Sequence, residues 1–165
     1  MDHRTGSQGR QPSAVSARPF EPSDREFVMS AAPRLTMGTP SWRDREKLLA
    51  AVRKWLADTM DKHGEQAFVF IAQDAGGERL GFATVSRGEH FTGTPEAYLR
   101  EMVVLEEAER RGVGSVLVNA CIEWARAEGF PVLALSTSAA NMSARRFYDQ
   151  LGFREEEVRL VKLLS

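Results

Sequence analysis

Two arginines beside two glycines at a helix start are the residues of this chain best suited to hold an anion. The run Glu109-Arg-Arg-Gly-Val-Gly-Ser115 follows an apolar stretch, Tyr98-Leu-Arg-Glu-Met-Val-Val-Leu105, and precedes an amphipathic one. The backbone N–H groups of Arg110, Arg111, Gly112, Val113, Gly114 and Ser115 can converge there on a phosphate, whose charge the helix dipole favours. A Cβ at Gly112 or Gly114 would hold that phosphate away from the backbone. Further on, Asn141 is of a type favoured at helix N-caps. Offsets of three, four and seven residues put Asn141, Ala144 or Arg145, and Tyr148 on one helix face, with Phe147 and Leu151 on a core face.

The other reactive side chains have blander readings. Cys121 lies with Val113, Val116, Leu117, Ala120 and Trp124 on an apolar helix face, which predicts burial over a reactive thiol. As the one cysteine of the chain it has no partner for an internal disulfide. His3 falls in a polar stretch, His63 at a helix end and His90 in a loop. No pair of His, Cys or acidic residues shows ligand spacing backed by a second pair, so no metal is implied. The glycine turn could serve a nucleotide, but the Lys-Ser/Thr pair that serves Mg-nucleotide is missing.

The elements that must position these groups are legible in order. With 165 residues, 42% hydrophobic and 27% charged, the chain is one soluble domain from residue 14 to 165. A flexible N-terminal tail is expected over 1–13. Twenty-two basic against 23 acidic residues leave a net charge of −1. That balance supplies no global field for nucleic acid or an anionic membrane. No apolar run is long enough to span a bilayer, and the N-terminus lacks the apolar stretch of a signal peptide, so a cytoplasmic location is expected.

Ala14–Arg18 reads as a short strand closed by Pro19, and Ser23-Asp24 as the cap of a helix to about Ala32. Residues 33–40 read as a loop. Ser41 and Asp44 open a long helix with Leu48, Val52, Trp55, Leu56 and Thr59 in its apolar stripe, closed by Lys62-His63-Gly64. Trp55 is expected to pack in the core. Ala67–Ala72 is apolar throughout, as a strand buried on both faces should be. Leu80–Ser86 returns beside it, residues 87–96 read as a loop, and Tyr98–Leu105 is the next strand. A helix to about Glu128 then crosses over to a strand at 131–137, which predicts a parallel pair with 98–105. Phe153–Leu164 alternates and is expected to be a final strand near 131–137.

Arg111-Gly112-Val113-Gly114-Ser115 followed by Asn141-Met-Ser-Ala144-Arg-Arg-Phe-Tyr148-Asp-Gln-Leu-Gly152-Phe153 resembles the acetyl-coenzyme A signature of the GNAT superfamily of N-acetyltransferases. The likeness covers about the last two-thirds of the chain. It implies an α/β fold of the α+β type: a mixed, mostly antiparallel sheet of about six to seven strands, flanked by about four helices, with a splayed parallel strand pair. It further implies that these strands part near Val104 and Leu135 and admit the pantetheine arm of acetyl-CoA. The arm's amides would bond backbone groups of Met102, Val103 and Val104 that are otherwise unpaired. The pyrophosphate would sit on Arg110 through Ser115, and Asn141 would also touch the coenzyme. One departure stands out: Glu109 occupies a position where the family commonly has Arg or Gln, so a carboxylate must point outward there or be offset by Arg110 and Arg111.

By the same resemblance Tyr148 is the catalytic tyrosine near the coenzyme sulfur. A phenol near 10 and a thiol near 8.5 make full proton transfer to thiolate uphill by ~2 kcal/mol. A hydrogen bond that strengthens as the sulfur becomes anionic is the better role. The acceptor, a protonated amine, needs a base, and Glu101 just before the splay is the sequence candidate if burial raises its pKa. The function implied is acetyl transfer from acetyl-CoA to a primary amine of a small molecule or protein, with a small-molecule or peptide amine as partner, by direct attack in a ternary complex. The alternative is a non-catalytic coenzyme A sensor or interaction module on the same fold. A homodimer is implied by family habit alone. The acceptor pocket is expected from residues 20–45, the 87–96 loop and the C-terminal strand, with Glu155, Glu156 and Glu157 hinting at a cationic acceptor.

Overall fold

A single mixed sheet of five strands, in the order β1-β2-β3-β4-β5, organises the chain. The computed structural model describes residues 14–164; the stretch 1–13 expected as a tail, and Ser165, lie outside the described residues. The strands are β1 (Ser16–Pro19), β2 (Ala67–Gln73), β3 (Arg79–Glu89), β4 (Pro95–Val104) and β5 (Leu133–Leu135). The first three pairings are antiparallel and β4 pairs β5 in parallel, as the crossover helix between them requires. The helices are α1 (Arg25–Ala31), α2 (Arg45–Asp61), α3 (Val113–Ala127) and α4 (Met142–Gln150).

The sheet separates two cores. Val28 of α1 and Val52, Leu56 and Met60 of α2 pack on Val69, Ile71, Phe82 and Val103. On the opposite face Leu117, Cys121 and Trp124 of α3 pack on Leu80, Val85 and Leu99, with Phe147 and Tyr148 of α4 against them. β2 is apolar throughout because Val69 and Ile71 face one core while Phe68, Phe70 and Ala72 face the other. Asp44 caps α2 by accepting from the N–H groups of Glu46 (3.0 Å) and Lys47 (3.1 Å).

Several expectations are corrected. The sheet has five strands, below the six to seven implied, because Phe153–Leu164 forms no strand. Its alternating residues are exposed, Val158 by 76% and Leu160 by 89%. Alternation marks two unlike faces but supplies no edge to pair with, and β5 is three residues long. Half of residues 87–96 are strand, as β3 runs on to Glu89 and β4 starts at Pro95. Gly88 sits where a Cβ would come 3.3 Å from the Glu96 carbonyl, so it permits close strand approach rather than a break. The turn tightens to His90–Thr94, with Gly93 donating to the His90 carbonyl at 2.8 Å.

Asp24 does not cap α1 with its side chain. Its buried carboxylate instead takes Arg18 (2.7 and 2.9 Å), Arg79 (2.6 Å) and the Glu21 N–H (2.8 Å). The 33–40 loop begins as a 3-10 turn over Ala32–Thr36. In α2 the buried stripe is Val52, Leu56 and Met60, and Trp55 is 60% exposed. A four-residue repeat suffices to seat this helix, which turns Trp55 to the stripe's edge.

Candidate active site

The strands part where the chemistry was expected. The parallel ladder holds only Ala97↔Leu133, Tyr98↔Ala134 and Leu99↔Leu135. Beyond Leu99, β4 continues to Val104 paired on its β3 side alone, with Met102 opposite Ala83, Val103 opposite Phe82 and Val104 opposite Gly81. The parting therefore begins upstream of Val104, and the other edge of Met102–Val104 has no strand beside it among the described residues. Gly81 lets β3 come in close, since a Cβ there would lie 2.3 Å from the Val103 carbonyl.

A bulge lies at the same place. Between Met102↔Ala83 and Leu99↔Val85, β4 spends three steps against two on β3. The extra residue breaks the alternation that would send Arg100 and Glu101 to opposite faces. Both instead line one open cleft of about 570 Å³, with Thr84 and Ser86 of β3 and Trp55 and Asp58 of α2. Glu101 is 8% exposed. The buried Thr84 hydroxyl donates to its carboxylate and accepts from its backbone N–H at 3.1 Å. Burial raises the Glu101 pKa, against the opposing Thr84 hydrogen bond and the charge of Arg100.

The turn before α3 holds two left-handed residues. Gly112, the N-cap, is left-handed at φ 79°, and Arg110 takes φ 60°, among the described residues the one non-glycine with positive φ. Such strain costs about 1–2 kcal/mol at a side-chain-bearing residue. A Cβ on Gly112 would meet nothing within 4 Å, so its need for glycine is conformational. Gly114 differs, because a Cβ there would sit 3.0 Å from the Phe147 ring. Its constraint is helix packing, α3 on α4, rather than room for a ligand. Glu109 points away: Arg34 binds it at 2.6 Å and reaches Glu106 at 3.8 Å.

On α4 the Asn141 side chain caps the helix, accepting from the Ala144 N–H at 3.1 Å. Tyr148 packs edge-on between Phe147 and Phe153, and no hydrogen bond from its hydroxyl is found among the described residues. Burial, with the nearby Cys121, pushes its pKa up to about 12. Burial likewise pushes the Cys121 thiol up to about 12, so that cysteine is inert core. His63 accepts from the Val69 N–H at 3.1 Å through Nδ1 and sits between Phe20 and Phe68, a structural role, with its pKa lowered by burial. His90 packs at a tilt against the exposed Phe91 ring and lies 4.0 Å from Glu156. Glu155 binds Arg145 of α4.

Sequence reasoning missed Thr84, Arg100, Trp55 and Arg34. Arg100 is placed by the bulge, which leaves no local signal, and Thr84 by plain alternation along β3 opposite Val69, whereas the α2 stripe was wide enough to admit either face for Trp55.

The site thus consists of a parted parallel pair, a left-handed turn at a helix start and a capped helix carrying a half-buried tyrosine. By comparison with known proteins, the chain belongs to the Acetyltransferase (GNAT) family, whose model matches residues 30–153. It is 31% identical over 149 residues to an aminoglycoside N(6')-acetyltransferase type 1 of Klebsiella aerogenes, covering 87% of this chain and 91% of that one. It is 30% identical over 115 residues to the L-methionine sulfoximine/L-methionine sulfone acetyltransferase of Pseudomonas aeruginosa, covering 70% of this chain. The match spans 65% of that relative's length, just under two thirds. Among solved structures, the aminoglycoside N-acetyltransferase AAC(6')-Iy in complex with CoA superposes with a TM-score of 0.67 over 93% of this chain and 95% of that one, at 24% identity. Among the described residues no cluster of three His, Cys, Asp or Glu could hold a metal ion, and no helix is long and apolar enough to cross a membrane.

Proposed function

We propose that this protein transfers an acetyl group from acetyl-CoA to a primary amine of a small molecule, by direct attack within a ternary complex. The observation that carries this reading is the pairing of the opened β4 edge with the Arg110–Gly112 turn. One accepts an extended arm bearing amides, the other its charged end. Backbone groups of Met102, Val103 and Val104 bond the pantetheine. The N–H groups of Arg110 through Ser115 hold the pyrophosphate, with Asn141 at its flank. The Glu109–Arg34 pair removes the repulsion a free carboxylate would exert there.

In the reaction the acceptor ammonium loses a proton to Glu101, and the free amine attacks the thioester carbonyl. The C–N bond forms, the C–S bond breaks, coenzyme A leaves as thiolate, and the remaining extra proton on the attacking nitrogen passes to that thiolate, giving the amide and free coenzyme A. A carboxylate raised by burial is a better base than an exposed one, which suits Glu101 to the first step. A phenol raised to about 12 stays protonated, which suits Tyr148 to donate a hydrogen bond to the sulfur as charge develops there. The acceptor enters by the cleft between α2 and the sheet. The relatives' names point to small amines, an aminoglycoside for one and methionine sulfoximine for the other. A cytoplasmic location fits such co-substrate use, and a homodimer rests on the family resemblance.

Thiol release from acetyl-CoA across an amine panel, with calorimetry of coenzyme A alone, tests the proposal. Coenzyme A binding with amine-dependent thiol release is expected. Binding without release from any amine would leave only a coenzyme sensor, and no binding would remove the site.

A further inference from the structure

The acceptor cleft carries an arrangement that the transfer reaction alone does not require. The β4 bulge sets a cation and a carboxylate, Arg100 and Glu101, next to each other on one wall. Arg100 is held in place without being neutralised. Its guanidinium lies 4.6 Å over the Tyr98 ring and its Nε donates to Ser86 Oγ at 3.1 Å. Arg18, Arg25, Arg34, Arg79, Arg87 and Arg145 all bind carboxylates. Among the described residues none lies within ion-pair distance of Arg100. An arginine fixed through Nε and its ring face keeps its terminal nitrogens for a planar, two-oxygen anion.

The rest of the cleft has the same bias. Its carboxylates are Asp58 and Glu101, and its cations are Lys62, Arg87 and Arg100, of which Arg87 is taken by Glu128. An acceptor with several ammonium groups would set its extra charges against Lys62 and Arg100. A zwitterion meets each of its charges with the opposite one.

Resting on the acetyltransferase reading above, we infer that the acceptor is an amine bearing a carboxylate close to the nitrogen, an α-amino acid or analogue. Arg100 binds the carboxylate while Glu101 faces the ammonium. Arg100 rests on Ser86 and Glu101 on Thr84, alternate residues of β3 on one face, so both groups address a single small acceptor.

The test uses the full chain with acetyl-CoA, a panel of α-amino acids each paired with its primary amide, and kanamycin as polycation. Thiol release is expected from at least one free amino acid with kcat/KM about 10- to 150-fold above its amide, the range of one charge-assisted hydrogen-bonded contact. Arg100→Gln, at an exposed position, should bring that acid-to-amide ratio close to one, chiefly through KM for the acid. Arg100→Lys should fall between. Amides matching their acids, kanamycin outpacing every amino acid, or an Arg100→Gln ratio equal to that of the native chain would overturn the inference and leave the acetyltransferase reading standing. Silence from every acceptor despite coenzyme A binding would overturn both.

Discussion

Replacing Glu101 by Gln separates a catalytic burden from a structural one. The substitution is isosteric, and its carbonyl oxygen can still accept from the Thr84 hydroxyl while the backbone bond from Glu101 N–H to Thr84 is untouched. Packing is therefore preserved and only the titrating group is lost. As the general base proposed above, Glu101 should contribute about 10²- to 10⁴-fold, or about 3–5 kcal/mol of barrier. Amine-dependent kcat/KM at pH 7 should fall by that factor while the Kd for coenzyme A stays put. The low-pH limb of the rate profile should vanish with the carboxyl.

Stability should move the other way. The folded pKa of Glu101 lies above its unfolded value, so the folded state binds the proton more tightly. Stability of the native chain then declines as pH rises from the unfolded pKa near 4.3 through the raised folded one, and stays lower above it. Glutamine has no such window. At pH 7–8 the variant should melt at a higher temperature than the native chain, and near pH 4 the two should converge. Turnover within about threefold of native would refute the base assignment. A lower melting temperature at pH 8 would refute the claim that the buried carboxylate costs stability.

Tyr148→Phe should cut kcat by about 10- to 150-fold with coenzyme A affinity retained, since on the proposed mechanism it removes a hydrogen bond to developing thiolate; unchanged kcat in a pre-steady-state assay would end that role. With its pKa pushed up to about 12, Tyr148 should contribute no alkaline limb to the native rate profile below about pH 10. Gly112→Ala should cost about 1 kcal/mol in denaturant unfolding, through the left-handed φ of 79° alone, and should weaken coenzyme A by calorimetry. Gly114→Val should shift α4 through the Phe147 ring, so a melting temperature equal to native would contradict the tight α3–α4 contact. Asp24→Ala leaves Arg18 and Arg79 unpaired around a buried site and should cost about 3–5 kcal/mol. Burial opposes the Asp24 charge, but both arginines outweigh it and hold the carboxyl well below the usual range. That stability is present above the unfolded pKa near 3.9 and is lost as pH falls below it, which acid titration of the native chain can follow.

Local chemistry in the sequence was enough to establish much of this protein. The glycine turn at Arg110–Gly112, the Asn141 cap, the buried Cys121 and the parallel pairing of β4 with β5 each follow from residue type and spacing within a short window. Helix and strand periods are properties of the chain itself, and so is the demand for a crossover between parallel strands. Tertiary structure decided what spacing cannot encode. The bulge that turns Arg100 and Glu101 to one face depends on register between two strands. The outward turn of Glu109 depends on Arg34, which is distant in the chain, and the unpaired run after Phe153 depends on whether a sheet edge is offered to it. Register and partner choice are set by contacts between remote segments, and for that reason only the folded molecule fixes them.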